Sequence, residues 1–226
     1  MARPVIVAID GPAGAGKSTV SKILALRLGF TLVDTGAIYR AVALKARRAG
    51  VAFDDDAGLK RLLDGLEVRF KMDEELNRVF LDGEDVSSAI RLPENSLAAS
   101  QVSSRPVVRD GLLELQRRLA LAAEKGAILE GRDIGTVVFP DADVKVFLFA
   151  DPTVRAKRRY EELFQKGHEK PVSEVLAEQN RRDKEDSERA VAPLKPAADA
   201  VQIDSTELPL SEVVHRIEAL VRGLGR

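Results

Sequence analysis

The run Gly11-Pro12-Ala13-Gly14-Ala15-Gly16-Lys17-Ser18-Thr19 matches G-x-x-x-x-G-K-[ST] at each fixed position. An apolar run, Val5 to Ile9, leads into it, and Val20, Ile23, Leu24 and Leu28 follow at helical spacing. The glycines therefore fall where a strand turns into a helix, and their freedom at positive φ lets the chain wrap an anion with its N–H groups inward. The start of a helix adds partial positive charge at the same place. In such a loop Lys17 reaches the β- and γ-phosphates and the Ser18 hydroxyl is placed to ligate Mg²⁺. Residues 11–19 are the expected nucleoside triphosphate site.

A triphosphate site leaves open what is done with the nucleotide, because switch GTPases, motor ATPases and small-molecule kinases share this loop. A guanine-reading N-K-x-D segment should close an apolar strand. The nearest match, Asn180-Arg181-Arg182-Asp183, lies inside a charged helical stretch and reads as accidental. Arginines supply a second chemical signal. Arg40 follows Asp34-Thr35-Gly36, Arg132 follows Ile128-Leu129-Glu130-Gly131, and Arg189 precedes Ala190-Val191-Ala192-Pro193. A guanidinium grips phosphate with two parallel bonds, which orients as well as attracts. Taken singly, each arginine fits a solvated surface charge. At the carboxyl edge of a sheet, where ligands of open α/β folds bind, Arg40 and Arg132 fit a binding role better. A cluster of Arg155, Lys157, Arg158 and Arg159, followed by Gly167, fits either a helix laced with ion pairs or a lid over transferring phosphates.

Four apolar runs, Val5 to Ile9, Phe30 to Val33, Ala127 to Leu129 and Val144 to Ala150, with a fifth at Ala200 to Ile203, read as buried parallel strands. Helices are expected at 17–28, 37–49, 107–124, 153–166, 172–189 and 210–224. For the helix from Val107, Ser104 reads as the cap, Pro106 as the first turn and Gly126 as the stop. The fold class is α/β around a parallel sheet. Between Glu67 and Val86 the pattern turns to apolar–polar alternation, with Asp82-Gly83 as a turn, which fits a small antiparallel insertion over 62–100 or a decorative loop.

With 226 residues, 45% of them apolar, the chain can bury one sizeable core and reads as one domain with insertions. Lys and Arg number 35 against 36 Asp and Glu, so the net charge of −1 argues against coating a nucleic acid polymer and leaves room for a local basic pocket. The absence of cysteine excludes disulfides, thiolate metal sites and a cysteine nucleophile. No apolar run reaches membrane-spanning length, and the expectation is a cytoplasmic monomer without membrane contact.

Taken together, Gly11-Pro-Ala-Gly-Ala-Gly-Lys-Ser, Asp34-Thr-Gly-Ala-Ile-Tyr-Arg40, Ala99-Ser-Gln-Val102, Glu130-Gly-Arg-Asp-Ile-Gly-Thr-Val-Val-Phe-Pro140 and Arg189-Ala-Val-Ala-Pro-Leu-Lys-Pro-Ala-Ala-Asp199 resemble the bacterial cytidylate kinase family, from about Val5 to Leu224. The resemblance implies a P-loop kinase core of five parallel strands (1–61 and 101–226), a monophosphate-binding insertion (62–100) and a short lid (about 155–168). The implied reaction is ATP plus CMP or dCMP giving ADP plus CDP or dCDP, with Mg²⁺. It further implies that Thr35, Arg40, Arg132 and Arg189 hold the acceptor phosphate, that Ser100, Arg109 and Asp133 read cytosine, and that Arg182 and Asp186 face the ribose. Glu130 stands where relatives can carry Asp, and Thr35 where some carry Ser; the second change keeps the hydroxyl.

The chemistry of the base fits this set independently. Cytosine donates from N4 and accepts at N3 and O2, so an acidic or hydroxyl acceptor beside a cation suits it, and uracil leaves such groups unpaired. A structural role for Ser100 and Asp133 is the alternative. The attacking oxygen, on a phosphate monoester with a second pKa of about 6, is already anionic. No general base is needed, and His168 and His215 are read as structural. Lys17, Arg132 and Arg189 are the expected catalytic residues. Kinases for UMP, AMP or shikimate, and a nucleotide switch with no acceptor, are the competing readings.

Overall fold

The computed structural model describes residues 3–73, 76–165 and 167–225. The expected helix end at Lys166, and the outer ends of the expected core at positions 1, 2 and 226, lie outside the described residues. Among the described residues a five-stranded sheet forms in the order β2-β6-β1-β7-β8, from β1 (Val5–Asp10), β2 (Thr31–Asp34), β6 (Gly126–Gly131), β7 (Val144–Phe149) and β8 (Val201–Asp204). Each neighbouring pair is parallel. The run Ile6 to Ile9 is fully buried and alternates between two cores. Ile6 and Ala8 join the side packed by α2 (Thr35–Arg48) and α5 (Pro106–Leu121), while Val7 and Ile9 join the side packed by α1 (Lys17–Leu28) and α8 (Leu210–Arg222). A strand buried on both faces has to be apolar throughout, which is why β1 and β6 lack the alternation of a half-exposed strand, whereas β8, at the sheet edge and expected as a buried strand, buries only Ile203.

The segment with alternating residues folds as an antiparallel sheet, β3 (Val68–Met72), β4 (Asn77–Leu81) and β5 (Glu84–Asp85). Asp82 and Gly83 join the last two strands at φ 49° and 88°, both left-handed, as a two-residue turn matching the twist of the strands requires. Two helices escaped the sequence pattern. One is α3 (Asp56–Leu63), capped by Asp55, whose carboxylate accepts the Gly58 N–H at 2.9 Å. The other, α4 (Pro93–Ser103), buries only Ala98, Ala99 and Val102 among its apolar residues and runs through position 100, so the expected edge of the insertion falls within a helix.

The borders read for α5 also change. Ser104 donates its hydroxyl back to the Gln101 carbonyl at 2.7 Å, closing α4 rather than capping α5, whose first turn does carry Pro106. Gly126 does not stop the helix. It opens β6, where a Cβ would lie 2.6 Å from the Phe30 ring and 2.8 Å from the Val5 carbonyl, so this glycine serves strand packing. The remaining helices are α6 (Pro152–Gln165) and α7 (Val172–Glu188). No described helix is long and apolar enough to cross a membrane.

Candidate active site

Parallel strands align their carboxyl ends, and register places the chemistry there. Asp10 of β1 pairs with Gly131 of β6, and Asp34 of β2 pairs with Glu130. The loop 11–16, Thr35 and the Arg132-Asp133 dipeptide therefore emerge side by side on one edge of the sheet.

The loop holds its shape through glycine and lysine. Gly11, Gly14 and Gly16 have φ of 149°, 76° and 92°. At Gly11 a Cβ would lie 1.9 Å from the Leu148 carbonyl oxygen, so the chain passes too close to β7 for any side chain. Lys17 Nζ donates to the Gly11 and Pro12 carbonyls at 2.7 Å each. Burial, and next the neighbouring Arg132, pull the Lys17 ammonium well below its ordinary range. An anion arriving at the loop offsets both effects. Ser18 and Thr19 open to solvent in the first turn of α1, and the Ser18 hydroxyl donates to Glu130 at 2.8 Å. Burial, then the nearby Asp34 charge, pushes the Glu130 carboxyl up to about 7.

On the facing side, Asp34 caps α2 by accepting the Ala37 N–H at 2.8 Å and holds Arg40 at 3.1 Å. Thr35 is buried and its hydroxyl donates to the Glu130 carbonyl at 2.7 Å. Arg132 pairs with Asp186 of α7 at 2.9 Å, and Arg189, just past the end of α7, lies 3.5 Å from the other oxygen of the same carboxylate. Burial acts to raise the Asp186 pKa, but Arg132, Arg182 and Arg189 hold it below the usual carboxylate range. Burial and then Arg132 bring Arg182 down to about 10, with Arg40 adding to the repulsion. The arginines read from the sequence are thus gathered around one point with too few carboxylates to neutralise them, which is an arrangement suited to a phosphate.

Arg109 and Asp133 form a buried ion pair, with a second Arg109 nitrogen donating to the Ser103 carbonyl at 3.1 Å. The Arg109 guanidinium lies 5.6 Å from the centre of the Tyr39 ring. Ser100 is half-buried one turn earlier on α4, its carbonyl accepting the Ser103 hydroxyl at 3.0 Å.

A model of the cytidylate kinase family matches residues 7–223. The chain belongs to the cytidylate kinase family. It is 56% identical to the cytidylate kinase of Geobacter sulfurreducens over 97% of this chain and 94% of that protein. It is also 55% identical to that of Geobacter sp. (strain M21), over 96% and 93%. The chain is accordingly a nucleoside monophosphate kinase, a phosphotransferase. In fold it resembles a crystal structure of an uncharacterized protein from Eubacterium ventriosum, with a TM-score of 0.53 and 15% identity over 96% of this chain and 98% of that one.

Of the four cations that fit either an ion-paired helix or a lid, Arg155, Arg158 and Arg159 each have partners within the fold. Arg155 is 4% exposed and turns inward, donating to the Ala13 carbonyl at 2.8 Å and the Ala150 carbonyl at 3.0 Å and pairing with Asp183 at 2.7 Å. Arg158 donates to the Ser205 carbonyl at 2.7 Å. Arg159 pairs along the helix with Glu162 at 2.9 Å, and Lys157 is exposed. Arg155, Arg158 and Arg159, at i, i+3 and i+4, share one side of α6, but each is drawn to a different partner, which a sequence cluster does not show. Asp183, from the segment likened to a guanine reader, serves Arg155 from within α7.

Sequence reading assigned no role to Asp10 and Tyr39. Asp10 is 5% exposed, and burial pushes its carboxyl up to about 6 against the pull of the N–H groups it accepts from Gly135 and Ile134. The signal available was an acid closing an apolar strand directly ahead of Gly11.

Proposed function

We propose that the chain transfers the γ-phosphoryl group of ATP to CMP or dCMP, and that the loop 11–19 takes the donor while Thr35, Arg40, Arg132, Arg182, Asp186 and Arg189 take the acceptor phosphate and sugar. The observation that carries this reading is the shared carboxyl edge: Asp10, which precedes the loop, pairs in register with Gly131, which precedes Arg132. Donor and acceptor phosphates then meet between Lys17 and the arginine group. An oxygen of the acceptor phosphate bonds to the γ-phosphorus as the bridging β–γ P–O bond breaks, leaving ADP with that electron pair. Rate enhancement comes from placement and from cations around the charge that spreads over the transferred group.

The oxygen donors at the first turn of α1 suit Mg²⁺, a hard cation that takes a few protein ligands and keeps nucleotide oxygens and water. Ser18 would ligate it, with Glu130 behind the hydroxyl at 2.8 Å. When bound, the ion neutralises the donor's phosphate oxygens. In base reading, Asp133 accepts from cytosine N4 and Arg109 donates to the ring acceptors, with Ser100 beside them.

Assaying ATP-dependent ADP release with a panel of acceptors tests the assignment. CMP and dCMP lead, UMP and AMP trail; equal use of UMP, or ATP hydrolysis indifferent to any acceptor, sinks it. The crowding of Arg40, Arg132 and Arg182 predicts a second outcome. A phosphate relieves their repulsion, so CMP at about 100 times its Kd stabilises the fold by about 2.7 kcal/mol, a rise in Tm of roughly 5–10 °C for a chain of this size. Cytidine at the same concentration gives a small fraction of that rise. A thermal melt in which cytidine matches CMP removes the arginines from the account.

A further inference from the structure

Residues Ile134–Val138 form a single π-type helical turn directly after Arg132 and Asp133. The first N–H groups of any helical turn lack partners within it. Asp133 stands at the capping position, from which an aspartate ordinarily takes the N–H of the second or third residue of the turn with its own carboxylate. It makes no such bond. The Ile134 and Gly135 N–H groups instead donate to the two oxygens of Asp10, each at 2.8 Å, across 124 and 125 residues of sequence. Both oxygens of Asp10 are thereby used, and the Asp133 carboxylate is left to pair with Arg109.

We infer that Asp10 is a positioning residue for pyrimidine selection: by capping the 134–138 turn from the neighbouring strand, it releases Asp133 from that task and leaves it, with Arg109, to face the base. The inference rests on the proposed reading of the base by Asp133 and Arg109. Without Asp10, the Gly135 N–H, second in the turn, is one that a capping Asp133 carboxylate takes. Asp133 then folds back on its own backbone and Arg109 loses its buried partner. The carboxylate is specifically required, since asparagine offers one acceptor oxygen where two N–H groups must be met. Asp10 also closes β1 immediately before the phosphate loop, so damage to the loop has to be separated from damage to base selection.

The ratio of kcat/KM for CMP to that for UMP, measured at saturating ATP, makes that separation, because any shared harm to the phosphate loop cancels. Asp133→Ala is expected to lower the ratio about tenfold or more, the scale of one buried polar group left unmatched. Asp10→Ala is expected to lower it by a similar factor, Asp10→Asn by less, and the double variant Asp10→Ala/Asp133→Ala by no more than Asp133→Ala alone, since both act through one group. If Asp133→Ala loses discrimination while Asp10→Ala and Asp10→Asn keep the wild-type ratio, the inference fails and the base reading stands. A double variant that discriminates less than Asp133→Ala alone overturns it as well. If Asp133→Ala keeps the ratio, the base reading fails and takes the inference with it. Should Asp10→Ala not fold, Asp10→Asn decides. Loss of the folded circular dichroism spectrum in both assigns Asp10 to the scaffold alone and overturns the inference.

Discussion

Lys17→Ala abolishes most phosphoryl transfer: kcat is expected to fall about 10³-fold or more, roughly 4 kcal/mol of transition-state stabilisation. The ammonium sits under the loop with two carbonyl partners at 2.7 Å, Gly11 and Pro12, so on the proposed reading it is preorganised for the donor phosphates. Removing it costs little in folding. Burial already disfavours the charge, and the loop's course is set by its glycines and by the approach of Gly11 to the Leu148 carbonyl. The variant should therefore keep a cooperative melt near that of the parent while losing turnover in a coupled assay with ATP and CMP. Lys17→Arg is no remedy, because a planar fork does not fit the space of a compact ammonium. Turnover within tenfold of the parent in well-folded Lys17→Ala would remove this residue from the mechanism.

Local features were legible in the sequence, and long-range ones were not. The phosphate loop is nine consecutive residues whose fixed positions, Gly11, Gly16, Lys17 and Ser18, serve one geometry, and a single window captures it. The same is true of the Asp82-Gly83 turn and of the central strands, whose unbroken apolar runs follow from burial on both faces. Helix α4 was hidden because its first turn, Pro93-Glu94-Asn95-Ser96, carries turn-forming residues and its buried face is Ala98, Ala99 and Val102, too small a stripe to stand out. The cap at Ser104 and the stop at Gly126 failed because each residue type has more than one use. A serine can close one helix as readily as open the next, and a glycine can serve close strand packing as well as a helix end. The candidate site followed the same divide. Arg40, Arg132 and Arg189 could be picked out as strand-end or helix-end cations, yet the pairing that brings Arg132 to Asp186, across 54 residues, is set by tertiary contact. Arg155 looked like a lid cation by composition, whereas its partners on the loop at Ala13 and on α7 at Asp183 exist only once the chain has folded.

Arg189→Ala is expected to lower kcat/KM for CMP about 10²- to 10³-fold, with the KM for ATP within twofold of the parent. The side chain is held at a cost. Its Nη2 donates to the Ala192 carbonyl at 2.7 Å, and Ala192 takes φ 52°, a left-handed conformation worth about 1–2 kcal/mol of strain for an L-residue. Its Nε is buried with no hydrogen-bond partner among the described residues, and burial, then Arg109, pulls the guanidinium below its usual range. A strained turn, an unmet buried donor and a repelled cation together are poor use of an arginine in a purely structural role. A phosphate answers the last two, accepting from the free nitrogen and balancing the charge. Because the proposed function puts Arg189, just past α7, on the acceptor phosphate, its loss should fall on CMP and leave ATP binding to the loop 11–19. Arg189→Lys restores charge without the fork, so it should recover part of kcat and little of the affinity for CMP. Steady-state kinetics with each substrate varied in turn decides the matter: a rise in the KM for ATP that equals the rise for CMP would place Arg189 on the donor, and an Arg189→Lys enzyme indistinguishable from the parent would reduce its role to charge alone.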